Sequence, residues 1–326
     1  MMRNTLSAWF AAILVALLLA VPLYASMAGE PFALTFVSRV LVFALAAISL
    51  NLILGYGGMV SFGHAAFFGI GGYVVGIMYH HFDTGTAFLG VIPGTDQMLI
   101  TLPAAILIAG LAAALVGALS LRTGGVQFIM ITLAFAQMFF FLFISLKTYG
   151  GEDGIMVRRT NGLPGLDMKN KATLYWVVLT FSAAYYLFLR RLVQSSFGQI
   201  IAGIRQNERR MAAMGISTYR YKLYAFILSG MGAGLAGALM VNFLRYASPD
   251  MMHWSRSGEL MIMVILGGVG TLAGPFIGAG VLFTLETTLA RYTEHWMLPV
   301  GVLLLIVVLT TKGGLMALIA KLGGKK

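Results

Sequence analysis

The chain of 326 residues is 59% hydrophobic and only 10% charged, where a soluble domain averages about 25% charged residues. Its 22 basic and 11 acidic residues give a formal net charge of +11, and it has no cysteine. These values exclude a soluble globular domain, a disulfide scaffold and a Cys-ligated metal site. The positive charge sits in loops and at the C-terminus, which points to membrane orientation and contact with anionic lipid rather than to nucleic acid.

A bilayer crossing takes about 20 mostly apolar residues. The first apolar run, Leu6 to Leu23, follows Arg3. Ala25-Ser26-Met27-Ala28 loosely resembles a cleavage site, so a removable signal peptide is the alternative to a retained span. The length of the run and the spans that follow favour retention. Candidate spans are 6–25, 32–54, 58–79, 98–121, 126–146, 173–189, 223–244, 259–289 and 297–311.

The loops orient the chain. Residues 190–222 carry Arg190, Arg191, Arg205, Arg209, Arg210, Arg220 and Lys222 against Glu208 alone. Each such charge at a bilayer centre costs roughly 2.5–3.5 kcal/mol, so this elbow lies in water, and the positive-inside rule assigns it to the cytoplasm. The loop 80–97 is then external and carries Asp83 and Asp96 with no Lys or Arg. The loop 147–172, also external, fits less well, with five basic residues against three acids. The tail holds Lys312, Lys321, Lys325 and Lys326 and is expected in the cytoplasm, which requires an even number of crossings. Splitting 259–289 at Gly267-Gly268 and Gly274-Pro275 supplies it, and half-helices of that kind are tolerated where they pack in protein or line a wet cavity. The expected fold is all-α: a polytopic transmembrane helical bundle of eight to ten spans with Gly-broken half-helices, forming one domain over 1–326.

Gly is abundant, 40 residues in all. The pairs Gly72/Gly76, Gly230/Gly234, Gly270/Gly274 and Gly274/Gly278 have the spacing of close helix contacts. Leu54-Gly55-Tyr56-Gly57-Gly58 is echoed by Leu266-Gly267-Gly268-Val269-Gly270. Breaks at matching places in two halves point to a substrate route.

No catalytic constellation emerges. The G-x-G-x-x-G run from Gly232 to Gly237 lies inside an apolar span, without the strand–turn–helix setting that holds a pyrophosphate. No G-x-x-x-x-G-K-[ST] occurs, so ATP and Mg, if used, bind to separate subunits. His80-His81 with Asp83 reads as a solvated polar cluster before a metal site. His64, near Ser61 in an apolar run, is either a functional ionisable group or a histidine bonded between helices. Glu259 and Glu286 flank the broken segment. Asn51 reads as a packing residue bonded across helices before a substrate contact. The 20 methionines read as core filler.

The run Leu50-Asn51-Leu52-Ile53-Leu54-Gly55-Tyr56-Gly57-Gly58-Met59-Val60-Ser61-Phe62-Gly63-His64-Ala65-Ala66-Phe67-Phe68-Gly69-Ile70-Gly71-Gly72-Tyr73 resembles the signature of LivM-type permeases, the membrane subunits of branched-chain amino acid ABC transporters. Thr148 to Gly154, the stretch from Gly198 to Gly215, and Ser257 to Pro275 resemble three further blocks of that family. The resemblance covers roughly residues 40–311. It implies an all-helical permease in the bacterial inner membrane, paired with a homologous LivH-type subunit. Two ATP-binding subunits would dock at the cytoplasmic elbow, and a periplasmic substrate-binding protein would deliver the solute. By that resemblance Arg205, Asn207, Glu208, Ala212 and Gly215 couple to the ATPase. Ser61, His64 and Glu259 are candidates for the pathway wall, and Gly55, Gly58, Gly267, Gly268 and Gly274 are structural breaks. Relatives are associated with urea, amides or aromatic acids, and an ion-coupled secondary transporter is the competing class. Arg158 and Arg159 match no pattern of the family.

Overall fold

The computed structural model describes residues 18–22, 25, 31–88, 90–292, 295, 297–310 and 313–317. Most of the expected first span and the lysines of the tail lie outside the described residues.

Among the described residues, five helices are long and apolar enough to cross a membrane, counting the π-turn that extends the first. They belong to α1 (Pro31–Asn51), α3 (Met98–Ser120), α4 (Val126–Ser145), α5 (Lys171–Gln194) and α8 (Thr218–Leu244). The most apolar stretches of α1 and α8 are each 78% buried, whereas that of α4 is only 17% buried. So α1 and α8 form the centre of the bundle, and α4 turns Met130, Met138 and Phe141 outward. Helix α2 (His64–Thr84) packs along α8, with Gly71 and Gly237 marking where the two touch backbone to backbone. In a bilayer, where helices gain no hydrophobic drive from meeting one another, such close backbone contact supplies the packing.

Three differences from the sequence reading concern helix ends. The span expected over 32–54 stops being α-helical at Asn51 and continues as a π-turn, Leu52–Tyr56. The span expected over 58–79 becomes helical only at His64, because 58–63 is irregular chain leaving that turn. The segment 259–289 folds back on itself. Helix α9 (Trp254–Gly267) and α10 (Gly274–Leu289) pack as an antiparallel hairpin, with Gly267 against Gly274 and Gly278 against Met263. The expected break is therefore a reversal between two antiparallel helices of 14 and 16 residues.

Helix α11 (Met297–Thr310) follows α10, and beyond it Gly314 comes back against Gly268 at the hairpin turn. Among the described residues, nine helices thus alternate in direction: α1 to α5 and α8 to α11. Two short helices, α6 (Ser196–Gln206) and α7 (Glu208–Ala213), form the elbow between α5 and α8.

The two ends of the bundle differ in charge. At the end opposite the elbow, β1 (Ala87–Phe88) pairs with β2 (Ile92–Pro93), and β3 (Ile155–Met156) pairs with β4 (Tyr246–Ala247), each pair antiparallel. Here two of the five basic residues of 147–172 meet the two acids of 80–97. Arg159 lies 2.7 Å from Asp96 and Arg158 lies 3.7 Å from Asp83. The two loops form one surface with five bases and five acids, which accounts for the loop charge that composition alone left unexplained.

Candidate functional site

The elbow is built from a bend, an amphipathic helix and a capped turn. At the bend, a side chain at Gly198 would strike the backbone of Val193. Helix α6 then buries Ile201 and Ile204 and leaves Arg205 and Gln206 exposed. Asn207 caps α7: its Oδ1 accepts from the Arg210 backbone N–H at 3.0 Å. Gly215 follows α7 with φ of +83°, a left-handed conformation that L side chains rarely adopt. Glu208 pairs with Lys222 at 2.5 Å and so ties α7 to α8. Of the five residues expected to couple to an ATPase, Asn207 and Gly215 thus shape the elbow. Glu208 and Ala212 are exposed on it.

Arg205 does something different. Its guanidinium reaches from α6 to donate to the Gly55 carbonyl, and its side-chain carbons pack beside Gly58, whose φ is +68°. This is the point where the two glycine breaks meet. A Cβ on Gly55 would lie 2.8 Å from the Gly270 Cα and would overlap Asn51 Oδ1. Asn51, fully buried, stitches the crossing: its Nδ2 donates to the Thr271 carbonyl at 2.8 Å, and its Oδ1 accepts from the Gly270 N–H at 3.0 Å. The two echoed motifs are therefore in contact, and the charged elbow grips their junction.

At the other end of the α9–α10 hairpin lies a cavity of about 520 Å³, bordered also by α1 and α11. Twelve residues separate Arg39 from Asn51, so about 18 Å of helix at ~1.5 Å per residue lies between the cavity and the crossing. Two ion pairs line it: Arg39 with Glu286 at 3.2 Å, and Arg256 with Glu259 at 2.9 Å. The Arg39 guanidinium also stacks over Phe283, 4.5 Å from the ring centre.

Of the three expected pathway residues, only Glu259 borders this cavity. Ser61 is buried, and its Oγ accepts from the Gly63 N–H at 3.1 Å in a local turn. His64 is buried against Phe67 and Phe226, with Nε2 2.7 Å from Ser229 Oγ, and Ser229 in turn donates to the Ser49 carbonyl. This chain ties α2 to α8 and α1. His81 is bonded to Thr86 and Tyr149, while Asp83 pairs with Arg158. The G-x-G-x-x-G run lies in the buried interior of α8.

Residues 32–309 match a known protein family, the permease component of the branched-chain amino acid transport system. This chain belongs to that family. The permease is 24% identical over 300 residues to the high-affinity branched-chain amino acid transport system permease protein LivM of Escherichia coli (strain K12), covering 85% of this chain and 68% of that one. It is 26% identical over 291 residues to LivH of the same strain, covering 84% and 91%. It is also 28% identical over 196 residues to the autoinducer 2 import system permease protein LsrC of Klebsiella pneumoniae, covering 54% and 56%. No solved structure matches the permease.

Sequence reasoning missed Arg39, Asp250, His253 and Arg256, which border the cavity with Glu259. The signal for Arg39 was present: it is the one ionisable residue of the run 32–54, and such a residue inside a span marks a functional place by default. Its partner Glu286 was visible as a flank of the broken segment, but the hairpin that brings α10 beside α1 was not.

Proposed function

We propose that this permease is a membrane-spanning subunit of an ATP-driven importer of branched-chain amino acids, resident in the bacterial inner membrane. In this reading it pairs with a LivH-type permease. Two separate subunits bind ATP and Mg and dock at the elbow, which faces the cytoplasm. A periplasmic protein delivers the amino acid at the opposite end. Affinity resides mostly in that delivery protein, and the permease supplies the passage.

The observation that carries the reading is the grip of the elbow on the crossing. An ATPase that displaces α6 pulls on Arg205. Arg205 holds the carbonyl of Gly55, and Gly55 abuts the turn of the α9–α10 hairpin. Movement of a surface helix is thereby delivered to the two broken elements. Alternating access needs contacts that differ between two states, and a single arginine bridging elbow and crossing is a contact that such a movement breaks or keeps.

The test is Glu208→Lys. The substitution replaces the attraction to Lys222 with repulsion and reverses the charge of an exposed elbow position, at a cost to stability of about 1 kcal/mol for a surface pair. The variant is expected to reach the membrane in normal amount and to lose ATP-driven uptake. Normal uptake by the variant removes the docking assignment.

A further inference from the structure

The cavity at the open end of the hairpin has a mixed lining of charged and apolar side chains. The charged part holds Arg39, Glu286, Arg256 and Glu259, with Asp250 and His253 also on the border. Each ion pair engages one guanidinium nitrogen and one carboxylate oxygen: Arg39 Nη2 with Glu286 Oε1, and Arg256 Nη1 with Glu259 Oε2. A guanidinium has five N–H donors and a carboxylate two accepting oxygens, so both pairs retain donors and acceptors for an occupant. The apolar wall is the same helix faces one turn along: Ile262 and Met263 beside Glu259 on α9, and Leu282 and Phe283 beside Glu286 on α10, with Met297 and Val300 from α11.

We infer that this cavity is a binding site for an aliphatic α-amino acid, with the carboxylate on the guanidiniums of Arg39 and Arg256, the ammonium on Glu259 and Glu286, and the side chain on the apolar wall. The inference rests on the importer reading and locates its solute within this chain. Charge pairing favours the ligand class. The two pairs offer two guanidiniums and two carboxylates, with Asp250 as a third carboxylate on the lining, so both charges of a zwitterion find opposite partners. A simple anion would face three carboxylates, and a simple amine would leave both guanidiniums unused. An uncharged apolar solute would cover the free donors and acceptors and leave them without partners, which is costly.

Position also argues for a ligand. A purely structural ion pair is satisfied by closing protein around it, but these two border open volume, and Arg39 keeps 38% of its side chain exposed. The stacking of its guanidinium on Phe283 holds the charge in place before any ligand arrives. The hairpin has this cavity at its open end and the crossing gripped by Arg205 at its turn. An occupant and an ATPase would therefore act on the same element from its two ends.

The test uses the complete transporter in proteoliposomes, with radiolabelled leucine and saturating delivery protein. In the double variant Arg39→Gln with Glu286→Gln, both charges leave together and no unpaired charge remains. Its maximal uptake rate is expected to fall at least about tenfold, the equivalent of one hydrogen bond to a charged group, while the variant still copurifies with the second permease. Glu259→Gln is expected to lower the rate in the same way. Wild-type uptake rates in both variants overturn the inference. Loss of copurification also overturns it, because the pairs then hold subunits together. If wild-type transporter takes up leucine without hydrolysing ATP, the importer reading fails instead, and the two failures are told apart by whether the wild type or the variants misbehave.

Discussion

Gly55→Ala tests whether the crossing of the two breaks holds the bundle together. A methyl group on Gly55 would meet the Gly270 amide nitrogen at 2.5 Å and its Cα at 2.8 Å, and would overlap Asn51 Oδ1. Two of these atoms are backbone, so no rotamer change relieves the clash. The chain must separate at the crossing, which strains the two hydrogen bonds Asn51 makes to Gly270 and Thr271. Overpacking costs about 1–3 kcal/mol, and a buried hydrogen bond about 1 kcal/mol. The sum is roughly 3 kcal/mol, or about 6 °C in Tm if each kcal/mol shifts Tm by ~2 °C, as in domains of 150–250 residues. The assay is the apparent Tm of the purified permease in nanodiscs. An unchanged Tm would mean that the glycine breaks do not meet as described.

Two further outcomes follow from the same geometry. Gly258→Ala, in α9 at a place where an added Cβ meets nothing within 4 Å, is expected to leave Tm unchanged or to raise it, since glycine inside a helix costs about 0.5–1 kcal/mol relative to alanine. A fall of several degrees would contradict the packing of α9. Arg205→Ala removes the link between α6 and the Gly55 carbonyl, and the amino acid imported per ATP hydrolysed is expected to drop several-fold while the ATP-binding subunits remain bound; an unaltered ratio would show that force reaches the crossing by another route.

The elements most legible in the sequence were those governed by length and composition. Apolar runs located α1, α3, α4, α5 and α8 to within a few residues, because the bilayer sets one minimum length for all of them. The elbow was legible from charge, since seven bases cannot enter the bilayer cheaply. The echo between Leu54–Gly58 and Leu266–Gly270 showed where the chain breaks. It could not show that the breaks touch, because contact depends on how α9 and α10 fold back. The cavity was the least legible part. Its charges come from α1, from the stretch before and into α9, and from α10, and they converge only after the hairpin closes. For His64 the sequence left two readings, a functional group or a histidine bonded between helices, and it could not name Ser229 on α8 as the bonding partner. Arg158 and Arg159 had no sequence rationale, because their partners Asp83 and Asp96 lie in a different loop.

The central claim is that the arginine-rich elbow faces the cytoplasm and is covered by an ATP-binding subunit. The native chain has no cysteine, so a single engineered thiol reports without background. Met214, 58% exposed at the end of α7, is the position to convert to Cys. A membrane-impermeant maleimide is expected to label Met214→Cys in inverted vesicles and not in right-side-out ones, and bound ATP-binding subunits are expected to protect it. Labelling from the periplasmic side, or no protection when those subunits are bound, would contradict the account.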